Sequence, residues 1–410
     1  MESRAPAVIL GGARTAIGRY GGSLSRIRTD DLLAFVMRAA VDRVGVAVDA
    51  VEEIAAGVVN VSHEGMGDIA RWAALAGGFP DHVPAYTVNR FCASSLTAAT
   101  NLANSIVVGE FDLALAAGVE SMSRSGWAWM KSEEAFAPRG PQILLDTMWA
   151  GAGGPPNPTL LPRQAYMAMI ETAQKLADMY QIPRDDIDAF ALRSHQHAAA
   201  AQASGRLARE IVPIDVPADR HSTRRFDHDE FIRPDTSLEA LAKLAPQPNT
   251  TSMTAGNSSP LSDGASAVVL ASESKAAELG IPPMVRILAS ATVAVDPTIM
   301  GIAPAYAIPK AIARAGLTPE EIDVYEIHEA FAAQVLAVLR EFPKQTGYTI
   351  PDDRLNPNGG AVALGHPFGD SGTRLLLSLA TELVDTGKRY GVIGVCVGSG
   401  QGVAMVLERV

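Results

Sequence analysis

The feature that most constrains this chain is a weak internal repeat. Ala39-Ala40-Val41-Asp42-Arg43-Val44-Gly45-Val46 reads as a helix closed by glycine, the residue that most readily takes the left-handed position after a helix. Val51 and Ile54 follow, and an apolar strand runs from Ala55 to Val59. From Gly45 to Gly316, a displacement of 271 residues, the succession recurs: Ala311 to Leu317 repeats the helix and its stop, and Ile322 and Tyr325 take the offsets of Val51 and Ile54. A second pair of segments follows at nearly the same displacement, since 271 residues beyond Cys92 is three short of His366. After Cys92 come a small-residue helix over 94–108, a Gly109-Glu110-Phe111-Asp112 turn and a strand over 113–117. After His366 come a helix over 371–385, a Gly387-Lys388-Arg389-Tyr390 turn and a strand over 392–397. Two similar α/β halves facing one another bring corresponding loops to a shared crevice. Cys92, His366 and Cys396 are then neighbours although they are remote in sequence. The bland alternative is that any two α/β segments share a helix-glycine-strand texture.

Composition narrows the class. The chain has 410 residues, 48% apolar and 19% charged, enough for one large or a few modest domains with real cores and unlike a disordered chain. No uninterrupted apolar stretch approaches the roughly 18 residues of a membrane span. Met1-Glu2-Ser3-Arg4 runs directly into Val8-Ile9-Leu10, and Leu407-Glu408-Arg409-Val410 carries no lipidation signal, so a cytoplasmic, soluble protein is expected. A formal charge of -11 argues against broad nucleic-acid binding but leaves room for an anionic small molecule at a local basic cluster. Two cysteines cannot build a disulfide framework, and no zinc spacing accompanies them. If the thiols matter, they matter for reactivity.

Between the halves, from about 122 to 248, the texture changes to more Pro, Met, His and charge, with the loop-like run 151–156. A strongly helical part over 172–203, with Pro183 at a helix start, reads as a partly helical insertion across the crevice. Gly256-Asn257-Ser258-Ser259-Pro260 then leads to a strand over 265–271 that returns to the first half.

Four constellations bear chemistry. Cys92, between a strand-like run and a helix, would face unpaired N–H groups and the positive end of a helix dipole, which favour the thiolate; a buried structural thiol is the even alternative. His366 lies in Asn358-Gly359-Gly360-Ala361-Val362-Ala363-Leu364-Gly365-His366-Pro367-Phe368-Gly369, where glycines admit a ligand and an imidazole can activate a thiol; a lone histidine is otherwise structural. Cys396-Val397-Gly398-Ser399-Gly400-Gln401-Gly402 suits a turn presenting N–H groups, or a plain glycine-rich turn, and lacks the Lys-Ser/Thr of a phosphate loop. His328, in Glu326-Ile327-His328-Glu329, orients water or substrate or, more simply, caps a helix. His221, Asp227, His228, Asp229 and Glu230 show no metal-ligand spacing, so no metal site is expected. Arg220, Arg224 and Arg225 form one basic cluster, able to meet a phosphate or simply solvated.

Taken in order, the Cys92 segment, Asn257-Ser258-Ser259-Pro260-Leu261-Ser262-Asp263-Gly264-Ala265, Glu329-Ala330-Phe331, the stretch 358–369 and the stretch 396–402 resemble the thiolase family across essentially the whole chain. Gly12-Ala13-Arg14-Thr15-Ala16-Ile17-Gly18 and Gly118-Val119-Glu120-Ser121-Met122 are similar to it too. The resemblance implies an α/β protein with a five-layered αβαβα fold of two related halves and an inserted loop domain. The parts expected are 1–121 with 251–273 (first half, nucleophilic cysteine), 122–250 (insertion, coenzyme A binding) and 274–410 (second half, histidine and second cysteine). It implies Cys92 as nucleophile, His366 as activating base, Cys396 as acid/base and Gly398 as a backbone oxyanion donor with the N–H of Cys92. Ser259, Ala330 and Phe331 match residues along the pantetheine tunnel, and Met169 matches less fully, because Ile170 stands where glycine is usual. Arg220 and Arg224 are the candidates for the coenzyme A phosphates.

His328 replaces the family's common asparagine, which holds a water for a second oxyanion hole. With His366-Pro367-Phe368-Gly369, Ser95 and Ser399, it resembles fatty-acid-degrading and trifunctional-complex thiolases; Ala16 replaces a usual proline without clear mechanistic effect. The implied activity is coenzyme A-dependent cleavage of a 3-ketoacyl-CoA to acetyl-CoA and a shortened acyl-CoA, or the reverse condensation, through an acyl-Cys92 intermediate. A mainly synthetic condensing enzyme and a non-catalytic thioester-binding protein are the alternatives. No permanently bound cofactor is expected, coenzyme A being a co-substrate. The implied partners are acyl-CoA and coenzyme A, a second or further copies in a homodimer or homotetramer, and room for a hydratase/dehydrogenase partner subunit, with neither nucleic acid nor membrane.

Overall fold

The structure, a computed structural model, describes residues 6–129, 144–148 and 157–410; the expected loop 151–156 lies outside them. In the first half the strands are β1 (Val8–Arg14), β2 (Glu53–Gly57), β3 (Ala85–Val88), β4 (Leu113–Ser121) and β5 (Ser262–Ala271), with helices α1 (Thr29–Val44), α2 (Ile69–Ala76) and α3 (Ser94–Val108). The insertion contributes α4 (Met169–Met179), α5 (Arg184–Ala203) and a hairpin of Ile214–Pro217 with Thr223–Phe226. The second half has β6 (Val285–Ala294), α6 (Pro304–Arg314), β7 (Val324–Ile327), α7 (Ala332–Thr346), α8 (Ser371–Thr386), β8 (Tyr390–Val397) and β9 (Gln401–Arg409).

Among the described residues these strands join in one sheet, ordered β7-β8-β9-β6-β1-β5-β4-β2-β3, with the two-residue strand Gly18–Arg19 beside β5. The repeat is visible in the sense of each pairing. β1–β5 and β5–β4 are antiparallel and β4–β2 parallel; β6–β9 and β9–β8 are antiparallel and β8–β7 parallel. A short antiparallel contact, Val8 with Arg286 and Ile9 with Val285, joins the halves. Both repeated glycines take the left-handed conformation that ends their helices, Gly45 at φ 83° and Gly316 at φ 72°.

Strand periodicity builds the layers. On β4, Leu113, Leu115, Ala117 and Val119 face a core shared with α1 and α2, whereas Ala114 and Ala116 face α3 and α8. In the second half Val392 and Ala404 pack toward α6 and α7, and Ile393, Val403 and Met405 toward α3 and α8. The result is five layers: α1/α2, half-sheet, α3/α8, half-sheet, α6/α7. This explains why α8 is buried all round from Ser371 to Leu383. The 18-residue window Phe91–Val108 reaches a mean hydropathy of 1.2, enough by length and composition to cross a membrane, and most of it is α3, one of the two central helices of the fold.

The insertion is anchored by buried charge. Arg14, at the end of β1, pairs with Glu210 (2.9 Å) and Asp229 (2.8 Å), and Asp229 also accepts the Ile17 N–H. Asp229 is therefore committed to an ion pair, and no group of metal-ligating side chains occurs among the described residues.

Candidate active site

Cys92 sits where the chain leaves β3 and reverses into α3. The reversal needs Phe91 at φ 45°, a conformation a side chain seldom takes unless surrounding bonds hold it. Those bonds are present. Asn89 Oδ1 accepts the Phe91 N–H (3.0 Å), and Ser94 Oγ accepts the Arg90 N–H (2.9 Å) while donating to the Phe91 carbonyl (2.6 Å). Asn89 Nδ2 ties the turn to the Val59 carbonyl (3.1 Å).

The starts of α3 and α8 abut, which brings Cys92 and His366 to one place. Ser95 Oγ donates to the Asp370 carbonyl (3.2 Å) and accepts the Thr373 N–H (3.0 Å). A Cβ on Gly372 would come within 2.2 Å of the Leu96 nitrogen, so the approach requires glycine there. Glu120, at the end of β4, accepts N–H bonds from Val59 (3.0 Å), Asn60 (2.9 Å) and Gly369 (2.9 Å), locking the His366 loop against the first half.

The imidazole of His366 is buried, and its Nδ1 lies 2.6 Å from Ser371 Oγ. That hydroxyl donates its one proton to the Pro367 carbonyl (2.9 Å), so it accepts from Nδ1–H. The bond fixes the tautomer and leaves Nε2 as the bare nitrogen, unpartnered among the described residues. His328 packs edge-on against it, ring centroids 4.1 Å apart and planes at 61°, with both nitrogens buried and unpartnered among those residues. His328 does not cap a helix, contrary to the simpler expectation. The residue before α7 is Phe331, and the His328 N–H instead donates to the Gly394 carbonyl (2.8 Å), two residues before Cys396.

Cys396 is buried at the end of β8, close enough to Cys92 that a charge on one disfavours a charge on the other. Its turn continues to Gly398, whose N–H is directed at the Cys92 sulfur; a Cβ there would meet Met169 Sδ and the Phe91 ring, each at 3.7 Å. Electrostatics bears on the two even readings of Cys92. Burial pushes the Cys92 thiol up to about 11, against the pull of the Gly398 and Cys92 N–H groups, and pushes Cys396 well up. Burial, then the charge of Arg374, lowers His366 to about 3. The resting pair is thiol and neutral imidazole, not the thiolate a helix start alone suggests, because desolvation outweighs two N–H dipoles.

The outer residues fall in two groups. Ser259, Ala330 and Phe331 are joined directly: the Ser259 N–H donates to the Ala330 carbonyl (3.0 Å), and Ser258 bridges Phe331. Arg220 is exposed at the hairpin turn, whereas Arg224 is tied back to Ser23 Oγ and, at 3.8 Å, to Glu230. Sequence reading missed Phe91, Ser371, Glu120 and Arg374. Ser371 opens α8 five residues after His366, a signal available in the sequence; the others owe their roles to backbone angle and burial, which leave no local pattern.

Comparison with known proteins agrees with this geometry. Residues 7–274 match the thiolase N-terminal domain and residues 281–409 the thiolase C-terminal domain. The chain is 45% identical over 401 residues to the beta-ketoadipyl-CoA thiolase of Pseudomonas aeruginosa, covering 97% of each. It is 43% identical over 408 residues to the 3-oxoadipyl-CoA/3-oxo-5,6-dehydrosuberyl-CoA thiolase of Escherichia coli, covering 98% of this chain and 99% of that one. Among solved structures, the acetyl-CoA acetyltransferase of Bacillus anthracis superposes with a TM-score of 0.92 at 38% identity, covering 100% of both chains. A structural repeat, two cysteines, two imidazoles packed edge-on and these likenesses lead to one assignment: the chain belongs to the thiolase family and is an acyltransferase.

Proposed function

We propose that this chain catalyses the coenzyme A-dependent cleavage of a 3-oxoacyl-CoA bearing a distal carboxylate, of the 3-oxoadipyl-CoA type, through an acyl-Cys92 intermediate. The reaction is supported by the Gly398 N–H at the Cys92 sulfur, Cys396 close to Cys92, His328 against His366, and the abutting helix starts that follow Cys92 and His366. The substrate class rests on the relatives named for 3-oxoadipyl-CoA and beta-ketoadipyl-CoA.

The chemistry follows from which atoms are free. Cys92 Sγ attacks the C3 carbonyl as its proton passes to His366 Nε2, the bare nitrogen. The resulting oxyanion is held by the N–H groups of Cys92 and Gly398, each such donor typically lowering a barrier by about 2.7–4 kcal/mol. The C2–C3 bond then breaks, leaving the acyl group on Cys92 and an enolate of acetyl-CoA beside the imidazoles. Cys396 Sγ–H protonates C2. In the second half-reaction Cys396 takes the proton of incoming coenzyme A, whose sulfur accepts the acyl group and releases Cys92, which takes its proton back from His366. Coenzyme A is a co-substrate here, and no resident cofactor takes part.

In the same reading Ser259, Ala330, Phe331 and Met169 line the pantetheine path. Arg220 meets a coenzyme A phosphate, with Arg224 joining it only by leaving Ser23. The unit 122–250 is a coenzyme A-binding insertion between halves 1–121 with 251–273 and 274–410. The active form is a cytoplasmic homodimer or homotetramer, with a hydratase/dehydrogenase partner subunit as a further expectation. Thiolysis rates for 3-oxoadipyl-CoA, acetoacetyl-CoA and a medium-chain 3-oxoacyl-CoA test the substrate. The highest kcat/KM is expected for 3-oxoadipyl-CoA, and a clear preference for acetoacetyl-CoA would instead support the likeness to acetyl-CoA acetyltransferases.

A further inference from the structure

β7 is an edge strand, paired with β8 on one side, yet it is buried throughout and runs directly into His328. Its open edge is closed by one residue. Asn356 donates its own N–H to the Tyr325 carbonyl (2.9 Å). Two positions further along, its carboxamide takes over: Oδ1 accepts the Ile327 N–H (2.8 Å) and Nδ2 donates to the Ile327 carbonyl (2.9 Å). A single side chain thus makes both bonds that a further strand would make, and the facing donor and acceptor fix which way the amide points. Nδ2 also donates to Glu329 Oε1 (2.8 Å), on the other side of His328. The second oxygen of Glu329 accepts from Ser194 Oγ (2.6 Å) and the Val362 N–H (3.3 Å), and Ser194 Oγ accepts the Gly360 N–H (3.1 Å). Gly360 and Val362 belong to the stretch that leads to His366. A Cβ on Gly360 would stand 2.2 Å from Glu329 Cδ, so the carboxylate seats only against glycine. Asn356, Glu329 and Ser194 are each at most 1% exposed. Asn356 holds φ 42°, in the left-handed region that asparagine enters more readily than most side chains.

We propose that Asn356 is a positioning residue for this reaction: its carboxamide, with Glu329 and Ser194, clamps the backbones that carry His328 and His366, so that the two imidazoles keep their edge-on placement at 4.1 Å. This deepens the reaction proposed above and rests on His366 being its base. Asn356 touches neither sulfur nor substrate. It acts on His328 through residues 327 and 329, and on His366 through the bonds of Glu329 and Ser194 to the preceding segment. Ser194 lies on α5, so the insertion is tied into the same clamp. Proton transfer depends steeply on placement, and a displacement of about 1 Å can cost ~100-fold in rate.

The test compares wild type with Asn356→Gly, Ser194→Ala and Tyr180→Phe by thermal melting, steady-state thiolysis and histidine NMR of the resting enzyme. Glycine keeps the left-handed backbone and deletes only the carboxamide. Asn356→Gly is expected to lower kcat by roughly 10–100-fold, to leave KM for coenzyme A within about twofold, and to shift the ring signals of both histidines. Ser194→Ala releases Glu329 and Gly360, and a loss in kcat of about 10-fold with a shifted His366 signal is expected. Tyr180→Phe removes a hydroxyl bonded to Glu341 (2.8 Å) toward the far end of α7. It is expected to lower the melting temperature and leave kcat and both histidine signals in place, which separates lost stability from lost position. Unchanged kcat or unchanged histidine signals in folded Asn356→Gly overturn the proposal, and so does an equal loss of kcat in Tyr180→Phe. Should Asn356→Gly not fold, Ser194→Ala decides, and wild-type kcat and His366 signals in that variant overturn the idea. Absence of thiolysis by the wild type would instead sink the reaction assigned above, and the histidine spectra would then decide the clamp by themselves.

Discussion

A thiol near 11 and an imidazole near 3 describe a site that has to be switched on rather than one that waits charged. In the proposed reaction, proton transfer from Cys92 to His366 is uphill before substrate binds. It becomes favourable only as sulfur bonds to a carbonyl and the negative charge moves onto an oxygen with two N–H donors. At this scale the two cysteines separate cleanly. Cys92→Ala is expected to abolish both turnover and covalent acyl labelling, as read by intact-mass spectrometry. Cys396→Ala should still acylate at Cys92 but turn over poorly, and normal steady-state rates in that variant would remove Cys396 from the mechanism. The tautomer makes a third prediction. Ser371→Ala leaves Nδ1–H of His366 without its acceptor (2.6 Å) and frees the ring to take the opposite tautomer. A drop in kcat of roughly 10–100-fold is expected, part of the ~10²–10⁴-fold a general base supplies, with KM little changed. Steady-state kinetics on a folded variant checks it.

At the scale of elements, the site depends on how closely two helix starts approach. α3 and α8 belong to different halves, and their contact at Ser95, Leu96 and Gly372 sets the separation of Cys92 from His366. Gly372→Ala places a methyl where the Leu96 backbone stands and must push the helices apart. A lower melting temperature and a loss in kcat of about 100-fold are expected, the scale on which small misplacements act. Retained kcat in that variant would show the approach to be looser than the structure has it. Much of this was legible beforehand. The helices expected at 94–108 and 371–385 are found at Ser94–Val108 and Ser371–Thr386, because small and apolar residues between a capping glycine and a turn leave little latitude. The expected strand 113–117 continues to Ser121, since Gly118 to Ser121 pair with β5, and pairing across 140 residues has no local signature. The simpler of the two context-free readings of His328, a helix cap, fails for a related reason. What decides its role is an imidazole and a carbonyl that arrive from other elements.

For the molecule as a whole, Glu326 and His366 give stability opposite pH dependences. Glu326, raised from 4.5 to about 8, contributes stability that is fully present below about 4.5 and is lost as pH rises through about 8. His366, depressed from 6.5 to about 3, contributes stability present above about 6.5 and lost as pH falls through about 3. Glutamine mimics the neutral form of glutamate, so the melting temperature of Glu326→Gln relative to wild type should rise between about pH 5 and about pH 9. Melts at both values test this, and an equal difference at each would mean that Glu326 is not held neutral. The family and the repeated order of elements were carried by the sequence, as was the proposal of Cys92 and Cys396 as the reactive sulfurs, since each rests on residue type, spacing and order along the chain. The protonation states, the His366 tautomer, the edge-on packing of two imidazoles and the burial of Arg374 were decided only by the tertiary structure. Desolvation and Coulomb interaction depend on distances between groups that the chain separates by tens to hundreds of residues, and only folding sets those distances.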